Sequence, residues 1–198
     1  SISNFCPEKT IISTGLSKWC GAGGWRLGYF ILPESLKKIT DTLNILASET
    51  FSSVSAPIQY AAIQAYEGDH SEYIKSSKNI LKAVGTYVYE NLNSNKILIN
   101  KPEGGFYLMP ELITNKYNTS SEMCNDILED TGVALLPGSD FGFGKKKMIV
   151  RLSFTDFNGR NFMQEYKKKH QIDIDLISKY AAKVVEGVDK LKKWSEKI

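Results

Sequence analysis

Cysteine is scarce in this chain. Cys6, Cys20 and Cys124 are its only three, an odd number whose spacing fits neither a disulfide framework nor a zinc site. They read as reduced thiols, and no metal site is expected. No apolar run approaches the roughly 18 residues of a membrane span. The N-terminus also lacks a basic segment followed by an apolar one, the mark of a secretory signal, so the expected location is the cytoplasm. Charge of one sign is missing too, since the formal net charge is only +3. Two short basic runs, Lys145 to Lys147 and Lys167 to Lys169, are present, while acidic residues interrupt the rest of the chain. The runs read as solvated surface rather than a nucleic-acid patch. Internal repeats and low-complexity segments are absent. What remains, with 42% hydrophobic and 24% charged residues over 198 positions, is the composition of a globular protein of one or two domains.

The pattern along the chain divides in two. Thr10 to Ser13 is a short β-prone run leading into Gly15-Leu16-Ser17-Lys18, and Trp25 to Leu32 is a second, ending at Pro33. Two strands are therefore expected on either side of a loop of small residues. Leu36, Ile39, Leu43 and Leu46 recur at helical spacing after Pro33, and Ile58, Ala61, Ala62 and Ala65 do so after Ser55, stopping at Gly68. A third helical pattern runs from Ser71 to Leu92, and about 20 residues of helix span about 30 Å, enough to bridge two domains. Beyond Asn95 short strands are expected at 97–99, 105–109, 133–136 and 148–154. A helix is expected over 121–129, capped by Ser120 or Ser121 and stopped by Gly132. A last helix is expected over 175–194, with an acidic start and a lysine-rich end that suit the helix dipole.

The stretch with the most chemistry is Gly15 to Gly28, GLSKWCGAGGWRLG. Its sequence of a small residue, an apolar one, Ser17 and Lys18, then a small-residue loop with Arg26 eight positions after the lysine, resembles the cofactor-lysine signature of the class I/II aminotransferases. These are enzymes that depend on pyridoxal 5'-phosphate (PLP). The chemistry accounts for the combination. A free lysine, with a pKa of about 10.4, is rarely deprotonated enough to attack an aldehyde, and burial beside another cation lowers that value. Arg26 supplies a cation and a planar fork suited to a phosphate. Gly21, Gly23 and Gly24 read either as a plain flexible turn or as room for backbone donors to approach that phosphate.

A second match lies downstream. Met148 to Phe154, MIVRLSF, resembles the family strand whose arginine, here Arg151, binds the substrate α-carboxylate. An arginine in an apolar strand is costly to bury unless paired, and a carboxylate substrate is a suitable bidentate partner, as an internal salt bridge would be. Pro102 to Leu108 resembles the family's small-domain strand, whose aromatic residue lines the substrate entrance. Phe106 and Tyr107 fill that role or pack into the core. Gly132 to Gly142 resembles the turn before the arginine strand. Ser52, Ser53 and Ser55 stand where family members approach a neighbouring subunit's cofactor, or they serve as helix caps.

The resemblance implies an α/β fold of PLP fold type I. Residues 1–70 would be the end of the large PLP-binding domain, 71–95 a connecting helix and 96–198 the small C-terminal α/β domain. It implies Lys18 as catalytic residue and PLP anchor, Ser17 and Arg26 as cofactor ligands, and Arg151 with Phe106 on the substrate. Partners would be an amino acid and a 2-oxo acid, and a second copy in a homodimer. The carboxylate facing the pyridine nitrogen and other cofactor contacts precede the lysine motif in the family, whereas Ser1 stands 17 residues before Lys18. The chain is thus expected to lack an N-terminal half and to be inactive alone. A PLP lyase on the same scaffold, or a non-catalytic ligand-sensing domain, would use the same residues.

Overall fold

The computed structural model describes all residues, 1–198, and divides into two compact units, Ser1–Ser71 and Glu72–Ile198. In the first unit, strand β1 (Ile12–Gly15) pairs antiparallel with β2 (Gly28–Ile31). The register sets Gly15 against Gly28, and the close approach explains the pair: a Cβ on Gly15 would come within 2.8 Å of the Leu27 carbonyl oxygen. Trp25, expected in the strand, instead closes a short turn over Gly23–Trp25.

Helix α1 (Lys37–Thr50) follows a turn begun by Pro33, and α2 (Ala56–Glu67) carries Pro57 in its first turn. There a missing N–H costs nothing. Only Leu16 and Ala62 are buried among the apolar side chains of this unit. The helical stripe on α1 is present but uncovered, with Ile39, Leu43 and Leu46 all exposed.

The second unit holds the main core. Helix α3 (Ser71–Leu92) buries Ser76, Ile80, Val84, Val88 and Leu92, every fourth residue along one face. That face packs with Met123 and Ile127 of α4 (Ser120–Thr131) and Val188 and Leu191 of α7 (Ala182–Ser195). Short antiparallel strands complete it: β3 (Ile97–Leu98) with β5 (Glu111–Leu112), and β7 (Val150–Ser153) between β4 (Tyr107–Leu108) and β6 (Leu136–Pro137). Trp194 donates its indole N–H to Asp130 at 3.0 Å, tying α7 to α4.

Two expectations need correction, and one helix was not expected. The cap of α4 is Thr119, whose hydroxyl accepts from the Glu122 amide at 3.1 Å. Glu122 in turn accepts from the Asn118 amide at 3.0 Å, and this reciprocal arrangement outcompetes Ser120 and Ser121. The expected last helix is two, α6 (Ile174–Tyr180) and α7, broken at Ala181, whose φ of −117° and ψ of 35° leave the helical region. The basic run at Lys167 ends a further helix, α5 (Gly159–Lys169), capped by Asn158. Its three lysines face the negative end of the helix dipole, and Lys167 and Lys168 pair with Glu72 and Glu165.

Candidate cofactor and carboxylate sites

The loop joining β1 and β2 carries Ser17, Lys18 and Arg26. Its shape is set from inside by Leu16, which is fully buried and donates its amide to the Leu27 carbonyl at 3.2 Å. The carbonyl of Leu16 then accepts from the Ala22 amide at 3.2 Å and the Cys20 thiol at 3.0 Å. The chain can fold back this tightly because Gly21 takes a φ of +68°, open to glycine at little cost. Lys18 lies at the exposed outer edge and Ser17 is half-buried beside it.

Arg26 also has a left-handed backbone, φ 54° and ψ 44°, which is uncommon for a residue with a side chain. Its guanidinium donates to the Gly23 carbonyl at 2.8 Å, using one of five N–H donors. A primary amine, a hydroxyl and a guanidinium gathered on one loop suit a cofactor bearing an aldehyde and a phosphate. Nothing approaches within 4 Å of a Cβ built on Gly24, so the loop leaves open space there.

Trp19, next to Lys18 in the chain, belongs to an aromatic cluster. Trp19 lies 5.7 Å from Tyr66 of α2 and 6.0 Å from His70, and Tyr29 of β2 meets Tyr66 edge-on at 5.4 Å. Ring pairs at these spacings are favourable, and here they join α2 to the lysine loop and to β2.

In the second unit Arg151 occupies the central strand β7, half-buried, and none of the ion pairs of the structure involves it. Its guanidinium carbon lies over two rings, 4.5 Å from the centre of Tyr107 and 4.3 Å from that of Phe141. The internal salt bridge, one of the two readings of this arginine, is therefore not formed. Phe106 packs against the core beside Tyr107, their ring centres 4.4 Å apart. Neither ring contact of Arg151 was singled out from sequence for that purpose. The signals that carry them are an aromatic next to Phe106 and another closing the Pro137-Gly138-Ser139-Asp140 turn. The structure thus groups Ser17, Lys18 and Arg26 on one loop, and in the other unit places Arg151 on β7 with Phe106 just before the neighbouring strand β4.

A cavity of about 550 Å³ contains none of these residues. It is an open groove beside α3, lined among others by Asn79, Lys82, Tyr166, His170 and Asp173. No cluster of three or more His, Cys, Asp or Glu side chains could hold a metal, and no helix is long and apolar enough to cross a membrane.

Comparison with known proteins gives consistent matches. The sequence model of the family described as aminotransferase class I and II matches residues 2–162. A protein described as a probable N-acetyl-LL-diaminopimelate aminotransferase of Bacillus subtilis is 34% identical over 156 residues, which are 78% of this chain and 38% of that protein. An aspartate aminotransferase of Thermotoga maritima is 33% identical over 148 residues, 75% of this chain and 36% of the relative. Among solved structures, an alanine aminotransferase of Pyrococcus furiosus superposes with a TM-score of 0.68 at 28% identity, covering 95% of this chain and 42% of its own. The chain spans less than half the length of these relatives.

Proposed function

The chain belongs to the class I and II aminotransferases, with their α/β fold type I architecture, and from that membership we propose that the protein transfers an amino group between an amino acid and a 2-oxo acid, using PLP. Bound PLP supplies the electron sink for breaking bonds at the substrate's α-carbon. The residues of this chain hold and orient. Lys18 anchors the cofactor through its amine and, once released, takes the proton from the substrate Cα. Arg26 and Ser17 bind the phosphate. Arg151 binds the substrate α-carboxylate, with Phe106 at the entrance. The observation that carries this reading is a half-buried strand arginine with no acidic partner in the chain, in a family whose substrates are carboxylic acids. The cofactor side is assigned to residues 1–70, the connection to 71–95 and the substrate side to 96–198.

The proposal extends to the surroundings of the site. Every residue of β2 and Lys18 itself is exposed within these 198 residues, and a water-filled site suits neither strong electrostatics nor protected intermediates. The 198 residues by themselves therefore should not sustain turnover. The uncovered apolar residues of α1 and β2 are consistent with a homodimer, and the three free thiols with the cytoplasm.

The test is direct. The protein in its native full-length form is incubated with PLP and aspartate, the donor named for several relatives, with or without 2-oxoglutarate, and keto-acid is followed. Product only with the acceptor supports transfer; equal product without it points to a lyase. Borohydride reduction and peptide mapping should locate a pyridoxyl group on Lys18, and a map with that group on another lysine overturns the cofactor assignment.

A further inference from the structure

We infer that Tyr107 and Phe141 form an aromatic clamp that positions the Arg151 guanidinium edge-out for a single planar carboxylate. The inference rests on the reading of Arg151 as the carboxylate-binding residue and adds what orients it. Both rings come to Arg151 by backbone geometry. Tyr107 pairs with Ser153 in the β4–β7 ladder, which makes it the diagonal neighbour of Arg151, within reach of a long side chain. Phe141 arrives from the other side. Leu136 of β6 lies opposite Arg151 in the register, and a tight turn over Gly138–Phe141 brings the ring back over β7.

That turn is pinned closely. The Gly138 amide donates to the Ile149 carbonyl at 2.7 Å, and Gly142 closes it with a φ of +86°. The Phe141 ring is thus held by its backbone, not by burial, and both rings remain more than a third exposed, Tyr107 at 37% and Phe141 at 40%. Two such faces attract the flat faces of a guanidinium. They leave its edge, where the N–H groups lie in plane, as the surface open to a ligand, and a carboxylate is the group that matches that edge with two parallel bonds. A clamp of this kind also replaces the acidic partner that a half-buried arginine ordinarily has, while leaving its charge unneutralised for the substrate.

The experiment uses the full chain and 2-oxoglutarate as probe. The chain has only three arginines, Arg26, Arg151 and Arg160, so their side-chain Nε–H signals can be resolved by nuclear magnetic resonance and assigned by single substitution. Wild type should show the Arg151 signal displaced by ring currents and moved by the probe. Phe141→Leu and Tyr107→Leu keep apolar volume at exposed positions. Each should cancel part of the displacement and weaken the probe about fivefold, while Phe141→Tyr restores both. Unchanged displacement and affinity in the two leucine variants, with normal thermal melting, overturns the clamp. Arg151→Gln separates this from failure of the carboxylate reading: probe binding that survives Arg151→Gln, or no binding by wild type, overturns the reading and the clamp with it. Loss of binding in Arg151→Gln with unchanged leucine variants overturns the clamp alone.

Discussion

Gly138 and Ile149 are in contact so close that no other residue fits at the first position. A Cβ there would lie 2.8 Å from the Ile149 carbonyl oxygen and 3.0 Å from its Cβ. Because the oxygen is backbone in a packed segment, it cannot swing away. Gly138→Ala should lower stability by about 1–3 kcal/mol, the usual cost of overpacking. The midpoint of urea unfolding should fall without a change in slope. An unchanged midpoint would show that the turn relaxes freely.

Gly85 tests the same physics against an opposing effect. In the middle of α3, replacement by alanine gains about 1 kcal/mol of helix propensity. Yet the added methyl would stand 2.9 Å from the Phe154 ring, which is 1% exposed and has nowhere to go. The overpacking cost of about 1–3 kcal/mol should win. Gly85→Ala is therefore expected to destabilise alone and to become neutral or better when combined with Phe154→Leu. Additive effects in that double-mutant cycle would count against the contact.

How far the sequence revealed these features depended on how local they were. Helix α3 was legible because Tyr73, Ile74, Ile80, Leu81, Val84 and Val88 recur at helical spacing, and Ile80, Val84 and Val88 of these lie on its buried face. The Lys18 loop was legible because its residues are contiguous. The break at Ala181 was not, since Ile177, Ala181, Val184, Val188 and Leu191 keep helical spacing across it and no Gly or Pro marks it. Strand β5, the two residues that directly follow Pro110, is too short to show any period. The two rings on Arg151 depend on strand register and on the Gly138 turn, which are properties of pairing between distant segments. The bare stripe of α1 makes the reverse point: periodicity identified the helix but not whether anything covers it.

Asp126 should make the second unit sensitive to acid. It accepts a hydrogen bond from the Tyr117 hydroxyl and one from Lys116 at 3.2 Å, and the two donors, Tyr117 first, hold its pKa below the ordinary carboxylate value. A carboxylate with a depressed folded pKa contributes stability that is complete above its unfolded value of about 3.9. That contribution is lost as pH falls through the folded value. Melting temperatures of wild type and Asp126→Asn should converge as the pH drops from 5 to 2. Parallel curves over that range would remove the assignment. Tyr117 acts in the opposite range. Burial, then the bond to Asp126, raises its pKa, so its contribution is full below about 10 and declines as pH rises through the folded value.

The three thiols should differ in reactivity. Burial in α4, with a smaller effect of Asp140, pushes Cys124 up to about 11. At pH 8 the thiolate, the reactive form, is then on the order of one part in a thousand. Cys6 and Cys20 are only partly covered. A disulfide reagent added to native protein at pH 8 should modify those two, and Cys124 only after denaturation. Early labelling of Cys124, located by peptide mapping, would mean that α4 opens readily.

Arg26 should show opposite effects on stability and on binding. Its left-handed backbone is strained by about 1 kcal/mol relative to glycine, and its hydrogen bond to the Gly23 carbonyl is exposed, so little is lost with the side chain. Arg26→Gly should therefore melt no lower than wild type, and up to about 1 kcal/mol of stability can be gained. If Arg26 grips the cofactor phosphate, the same change removes charge-assisted bonds contributing about 1.5–3 kcal/mol. Affinity for PLP should then fall roughly tenfold or more, as read by equilibrium dialysis. Strain retained at a position where glycine would be more comfortable is the pattern expected of a residue kept for binding. A variant that melts lower and binds PLP normally would instead make Arg26 a structural residue of the loop.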